Sequence, residues 1–410
     1  MSPILRRRMA WLALQLTPFG LYGWALVVAT GAGYNGRIGP AFNGLACDWT
    51  IFYTALEAWR HGHLAQVYDQ VWLGKAMQGA YKPWLANPEP FPAFHYPPTW
   101  LLIIAPFAGL SMIASFAVTQ ALGFAALIAA LAKTYGQKLA KFGFFATTLL
   151  LAPATSNNVL SGQNATMVCA LFVAGLSLLE TQPFLAGALL GLASFKPQIL
   201  LMAPFALLAA RNWRAIAGGV TAALALALVS AIVLGPQAWV TWANLMLHPR
   251  HDVAYTGIEW GRLWDDSVYT CAKLLGAPKN IADLVQGAAT LGAGALVYLS
   301  FRRPLANDQR LAVFLAASAL AAPHVSPYDM MLVALAAIIL VWRVIEDETQ
   351  ALRPVKLLLP LAAWLIPLYG PPRATPIGLI TPLVIFGLIA SVLLSAPAPA
   401  RRMSAAAAAA

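Results

Sequence analysis

Apolar stretches of membrane-spanning length recur along nearly the whole chain, and they leave few folds open. The first runs from about Trp11 to Ala32; others follow at roughly 98–112, 114–132, 142–158, 164–180, 184–209, 214–235, 281–301, 309–322, 328–345, 355–370 and 376–395. Together they make about twelve segments, set against the roughly 30 Å of hydrocarbon a span must cross. A chain of 410 residues that is 60% hydrophobic and 10% charged cannot be a water-soluble globule, whose charged fraction is about a quarter. The expected fold is an all-α polytopic membrane protein, a bundle of about 11–12 transmembrane helices.

The net charge of +11 is no argument for nucleic-acid binding until the charges are placed on sides, and no nucleic acid is expected. Arg6, Arg7 and Arg8 precede the first apolar run, which is too long for a signal peptide and reads as an uncleaved helix with a cytoplasmic N-terminus. Residues 33–97 then form a first outer loop and 236–280 a second. Clusters at Arg211 and Arg214, Arg302, Arg303 and Arg310, Arg343, Arg353 and Lys356, and Arg401 and Arg402 all fall inside. Lys133, Lys138 and Lys141 fall outside if 98–112 and 114–132 both cross. They fall inside if 98–112 is re-entrant and 184–209 breaks near Lys196-Pro197; both arrangements stay open. Cys47, Cys169 and Cys271 form no CxxC pair, so neither zinc nor a disulfide framework is indicated. Residues 1–402 read as a single domain, and the run of alanines in 403–410 as a disordered tail.

The stretch from Asp48 to Pro98 is the longest polar interval between apolar spans. Trp49, Phe52, Tyr53, Leu56 and Trp59 repeat at helical spacing, while Thr50, Thr54, Glu57 and Arg60 take the other side. Such a helix lies in a membrane interface. Asp48 at its start reads either as an N-cap or as a general base facing a lipid-borne substrate. All six histidines (His61, His63, His95, His248, His251 and His324) fall in outer segments, as do most carboxylates.

Polar groups set into apolar spans are costly and mark function. Lys196, before Pro197 in ASFKPQ, reads as an ammonium held at a broken helix to meet an anion, or as a lysine snorkelling to the headgroups. Gln163 and Asn164 in SGQNA offer amides at a turn. His324 and Asp329 in PHVSPYD offer a phosphate or hydroxyl contact and a helix cap. Trp239, Trp242, Trp260 and Trp264 lie beside Glu259, Asp265 and Asp266, a pattern that suits an interfacial belt or sugar stacking.

DWTIFYTALEAWRHG, a distal YPP, then GQN, GLASFKPQ, RNWR and PHVSPYD resemble, in order and spacing, the bacterial GT-C membrane glycosyltransferases of family 87. This group includes polyprenyl-phosphomannose-dependent mannosyltransferases. The resemblance implies a GT-C bundle in the cell inner (plasma) membrane, with its active site facing the periplasm or outside. It implies a polyprenyl phosphate-linked sugar donor, a lipid or glycan acceptor and no cofactor. Asp48 takes the place of the catalytic base; Lys196, His324, Gln163, Asn164, Tyr53, His95, Tyr96 and Asp329 are the candidate donor-phosphate and substrate residues. Cys47 precedes a lone aspartate, so the paired carboxylates of other GT-C enzymes are absent and no metal is expected. The alternative is a polytopic transporter or flippase of a lipid-linked sugar, which often shows two similar halves; none are visible here.

Overall fold

The computed structural model describes residues 2–32, 46–81, 94–247, 265–347, 355–369 and 376–395. Among them there are helices and no strand, and the chain is an all-α polytopic membrane protein. Glu89, His248, His251, Asp252, Glu259, Trp260, Trp264 and the expected tail 403–410 lie outside the described residues.

The chain opens with α1 (Pro3–Ala32), followed in the first polar interval by α2 (Cys47–Arg60) and α3 (Gln70–Tyr81). A short α4 (Pro98–Ile104) leads to the long α5 (Met112–Tyr135). Next come α6 (Leu139–Leu150) and α7 (Pro153–Ser161), bent by 54° where Pro153 ends the hydrogen-bond ladder. After α8 (Ala165–Ser177) and α9 (Pro183–Leu192), the chain breaks at Lys196 and resumes as α10 (Pro197–Leu200) and α11 (Ala203–Ala209). The rest is α12 (Trp213–Leu234), α13 (Pro236–Leu247), α14 (Val268–Leu274), α15 (Lys279–Arg302), α16 (Asn307–Ala321), α17 (Met331–Glu346), α18 (Val355–Trp364), α19 (Ile366–Tyr369) and α20 (Thr381–Leu394).

By length and composition α5, α12, α15 and the run Pro376–Leu394 can each cross a bilayer, and α6 with α7 makes a fifth, bent span. Several of the other apolar stretches are built from shorter helices. The core lies around α16 and α17, in which every residue from Leu311 to Ala321 and from Met331 to Ile339 is buried, as expected of stretches that are apolar all round. Helices α9 and α12 pack backbone to backbone. A Cβ on Gly187 would lie 1.7 Å from the Ala215 carbonyl oxygen, so only glycine permits this approach.

Charge contacts define one end of the bundle. Asp308 lies 3.5 Å from Lys141 and 3.1 Å from Arg343, Lys138 pairs with Glu346 at 3.1 Å, and Arg8 donates to the Asp347 carbonyl. Lys138 and Lys141 therefore share an end with Arg8 and Arg343, which is the second of the two arrangements. Helix α4 is only seven residues long, and the Tyr53 hydroxyl on the Leu110 carbonyl shows that the chain stays on the α2 side. Likewise Asn212 donates to the Leu179 carbonyl, so 183–209 rises to Lys196 and returns to the end it left.

Candidate active site

At the other end, four polar motifs meet. The turn after α7 is built on Gly162, whose φ of +75° suits glycine and whose Cα faces the Trp49 side chain; a Cβ there would lie 2.6 Å from that of Trp49. This contact, and the Ala46 N–H donated to the Leu160 carbonyl at 2.6 Å, dock the start of α2 on the turn. The turn itself is braced from below. Gln120 donates to the Gln163 carbonyl and accepts from Asn158, whose own side-chain oxygen takes the Ala165 N–H.

Asp48 lies in the first turn of α2, but Ala46 holds the cap position, in a left-handed conformation at φ 63°. The carboxylate instead accepts from Gln163 Nε2 at 2.7 Å, while the Cys47 thiol lies 3.6 Å from its other oxygen. Gln163 Oε1 in turn accepts from the Tyr96 hydroxyl at 2.8 Å, so one amide ties the tyrosine to the carboxylate. Burial holds the Asp48 carboxyl above its ordinary range, against the opposing pull of the Gln163 hydrogen bond, the Cys47 thiol, and the charges of Lys196 and His324.

Lys196 is 2% exposed and meets Asp329 at 2.5 Å, with Asn164 Oδ1 at 3.5 Å and the Tyr328 ring 5.0 Å away. The anion that this ammonium meets is thus a carboxylate of the chain itself. Asp329 does not cap α17, whose cap position is Met330; its second oxygen accepts from the Ser326 N–H. His324 Nδ1 lies 2.9 Å from Asp265 Oδ2, and the other oxygen of Asp265 accepts from the Ser267 N–H, the Ser267 hydroxyl and the Thr270 hydroxyl. Desolvation pulls the imidazole down, but the Asp265 hydrogen bond and charge, with Asp329 behind them, raise its pKa above the ordinary value. Among the described residues no cluster suits a metal ion.

The sequence model of glycosyltransferase family 87 matches residues 94–327, more than half of the chain. The chain belongs to glycosyltransferase family 87. It is therefore a membrane glycosyltransferase. The matched region holds Tyr96, Gln163, Asn164, Lys196, Asp265, Asp266 and His324; Asp329 lies just beyond its end, and Asp48 lies well before its start. No curated protein and no solved structure matches the chain.

Of the family 87 chain's expected site residues, Asp48, Tyr96, Gln163, Asn164, Lys196 and Asp329 form one connected group, and His324 stands at its edge. Two do not join it. Tyr53 follows Asp48 by five residues, about 140° around the helix, and its hydroxyl is spent on the Leu110 carbonyl. His95 is exposed beside the inward-facing Phe94 and half-buried Tyr96, and its carbonyl accepts from Trp242 Nε1. Helix α2 is also more enclosed than an interfacial helix: Thr50 and Thr54 are buried, with hydroxyls donated to the Cys47 and Thr50 carbonyls. The contact between Asp265 and His324 is not among the expectations from sequence. The signal was present in DDSVYT, where Ser267 caps α14 and Thr270 lies one turn on.

Proposed function

We propose that this protein transfers a hexose, mannose by the family resemblance, from a polyprenyl phosphate-sugar to a hydroxyl of a lipid or glycan acceptor. On this reading residues 1–402 form a single GT-C-like domain in the inner (plasma) membrane. The observation that carries it is the Asp48 carboxylate, fixed by Gln163 at the end of the bundle opposite the clustered Lys138, Lys141, Arg310 and Arg343. Positive charge marks the cytoplasmic end, so the Asp48 end faces the periplasm or outside. A sugar delivered there comes already activated on a lipid, because nucleotide sugars are kept on the other side.

The chemistry follows from what each group can do. The acceptor hydroxyl is a poor nucleophile, and Asp48 takes its proton as the oxygen attacks the anomeric carbon. The bond from that carbon to the phosphate oxygen breaks, and polyprenyl phosphate leaves without needing a proton. One displacement gives inversion. Lys196 and protonated His324 stabilise the charge that develops on the phosphate. Lys196 shares its donors between that phosphate, Asp329 and Asn164.

The test is an assay of the purified protein with defined polyprenyl-phosphate hexoses and lipid acceptors extracted from membranes. Transfer from one such donor, with inverted linkage, supports the reading. Transfer from a nucleotide sugar, and from no lipid-linked donor, overturns it.

A further inference from the structure

Among the described residues, Asp266 is a buried carboxyl whose side chain makes no hydrogen bond. It is 3% exposed, and neither carboxyl oxygen has a hydrogen-bond partner, although its backbone N–H is pinned to the Val325 carbonyl at 2.7 Å. Its neighbour Asp265 is saturated by Ser267, Thr270 and His324. Buried polar groups are almost always bonded, and an unmade bond costs folding free energy in every molecule. The residue is held in place by the turn that carries His324, yet its carboxyl makes no hydrogen bond among the described residues.

We propose that Asp266 binds a hydroxyl of the donor sugar and so helps to set which hexose is transferred. This rests on the glycosyltransferase reading above and adds a residue to it. Asp266 is within electrostatic reach of both Asp265, which holds His324, and Asp329, which holds Lys196. A hexose bonded to a phosphate held by Lys196 and His324 would have its hydroxyls near this corner, because Asp329 and Asp265 hold those two cations. His324 is 42% exposed, which gives the corner an open edge. Burial and the charges of Asp265 and Asp329 hold the Asp266 carboxyl well above the ordinary range, a shift that favours its neutral form. A protonated carboxyl donates one hydrogen bond and accepts another, which is the pattern a sugar hydroxyl presents. The neutral form also avoids placing a third carboxylate beside a phosphate.

The test measures donor binding to the purified full-length protein for wild type, Asp266→Asn and Asp266→Leu, using a polyprenyl-phosphate hexose and its monodeoxy analogues. Asparagine keeps both donor and acceptor, so affinity should fall less than about threefold, while leucine should weaken it about tenfold. One monodeoxy donor should bind wild type about tenfold more weakly and show no further loss with leucine. If Asp266→Leu does not fold, Asp266→Ala enters the same cycle. Leucine or alanine binding every donor as wild type does overturns the proposal and leaves Asp266 a structural or water-bonded group. A wild-type protein that binds no lipid-phosphate hexose overturns the parent reading, and this one with it.

Discussion

Gln163 Nε2 lies 2.7 Å from Asp48 Oδ2 and joins two motifs 115 residues apart. The amide has no freedom to turn over, because the Asp48 carboxylate only accepts and so takes the NH2 group, which leaves the amide oxygen to accept from the Tyr96 hydroxyl. The carboxylate is thereby aimed by a residue that cannot itself take a proton.

Removing that amide should show in the pH dependence. Asp48 acts in its charged form, so activity is lost as pH falls through its pKa, which burial places above the ordinary 3.8. The Gln163 bond opposes that shift, and Gln163→Leu should move the acid limb to higher pH as well as lower the maximal rate by roughly tenfold. A pH-rate profile for kcat checks this; an unmoved acid limb would show that Gln163 does not act on the base.

The basic limb reports on His324. Its protonated form is favoured by Asp265, so activity that depends on the imidazolium is lost as pH rises through a pKa above 6.5. Asp265→Asn removes the charge and should shift that limb to lower pH. Asp265 acts here as a positioning residue, and a fall in rate with no shift of the limb would reduce it to a structural role.

The arrangement of the motifs was legible where local chemistry is strong. Tyr96, Gln163, Asn164 and Lys196 each interrupt or border an apolar run, and a polar group in that setting has to be explained. What could not be read was pairing across the fold. Nothing local says that Lys196 meets Asp329 across 133 residues, and the sequence pattern leaves them as separate features. Tyr53 stands apart from the group for a geometric reason, since an aromatic on the apolar face of α2 need not face the same way as Asp48. The course of 98–141 was open because hydropathy gives segment length but not return. It is the contacts of Tyr53 with Leu110 and Lys138 with Glu346 that give the direction.

Lys196 has a structural and a chemical role, and one double substitution separates them. Lys196→Ala leaves Asp329 buried and unpaired, a loss of about 3–5 kcal/mol. Lys196→Met with Asp329→Leu removes both charges and should restore thermal stability to near wild type. Donor affinity should remain at least about tenfold weaker if the ammonium holds phosphate. Recovery of both stability and donor affinity would make Lys196 a pillar of the fold alone.

Orientation can be tested without any substrate. Ala65 and Gln137 are both exposed, the first beyond α2 and the second beside Lys138. In a variant lacking the native cysteines, Ala65→Cys should react with an impermeant maleimide in intact cells, and Gln137→Cys only after permeabilisation. The reverse pattern would put the Asp48 end in the cytoplasm and remove the argument for a lipid-linked donor.

The role of Asp48 is tested most directly by Asp48→Asn in the transfer assay. Asparagine retains an oxygen for the Gln163 amide, and Ala46 rather than Asp48 holds the cap position of α2, so the fold should stay intact. The amide cannot take a proton from the acceptor, and general-base catalysis contributes roughly 10²–10⁴-fold. Transfer should therefore fall by at least about a hundredfold, with donor binding and Tm near wild type. An Asp48→Asn protein that keeps most of its turnover would contradict the account and move the search for the base to Asp252 and Glu259.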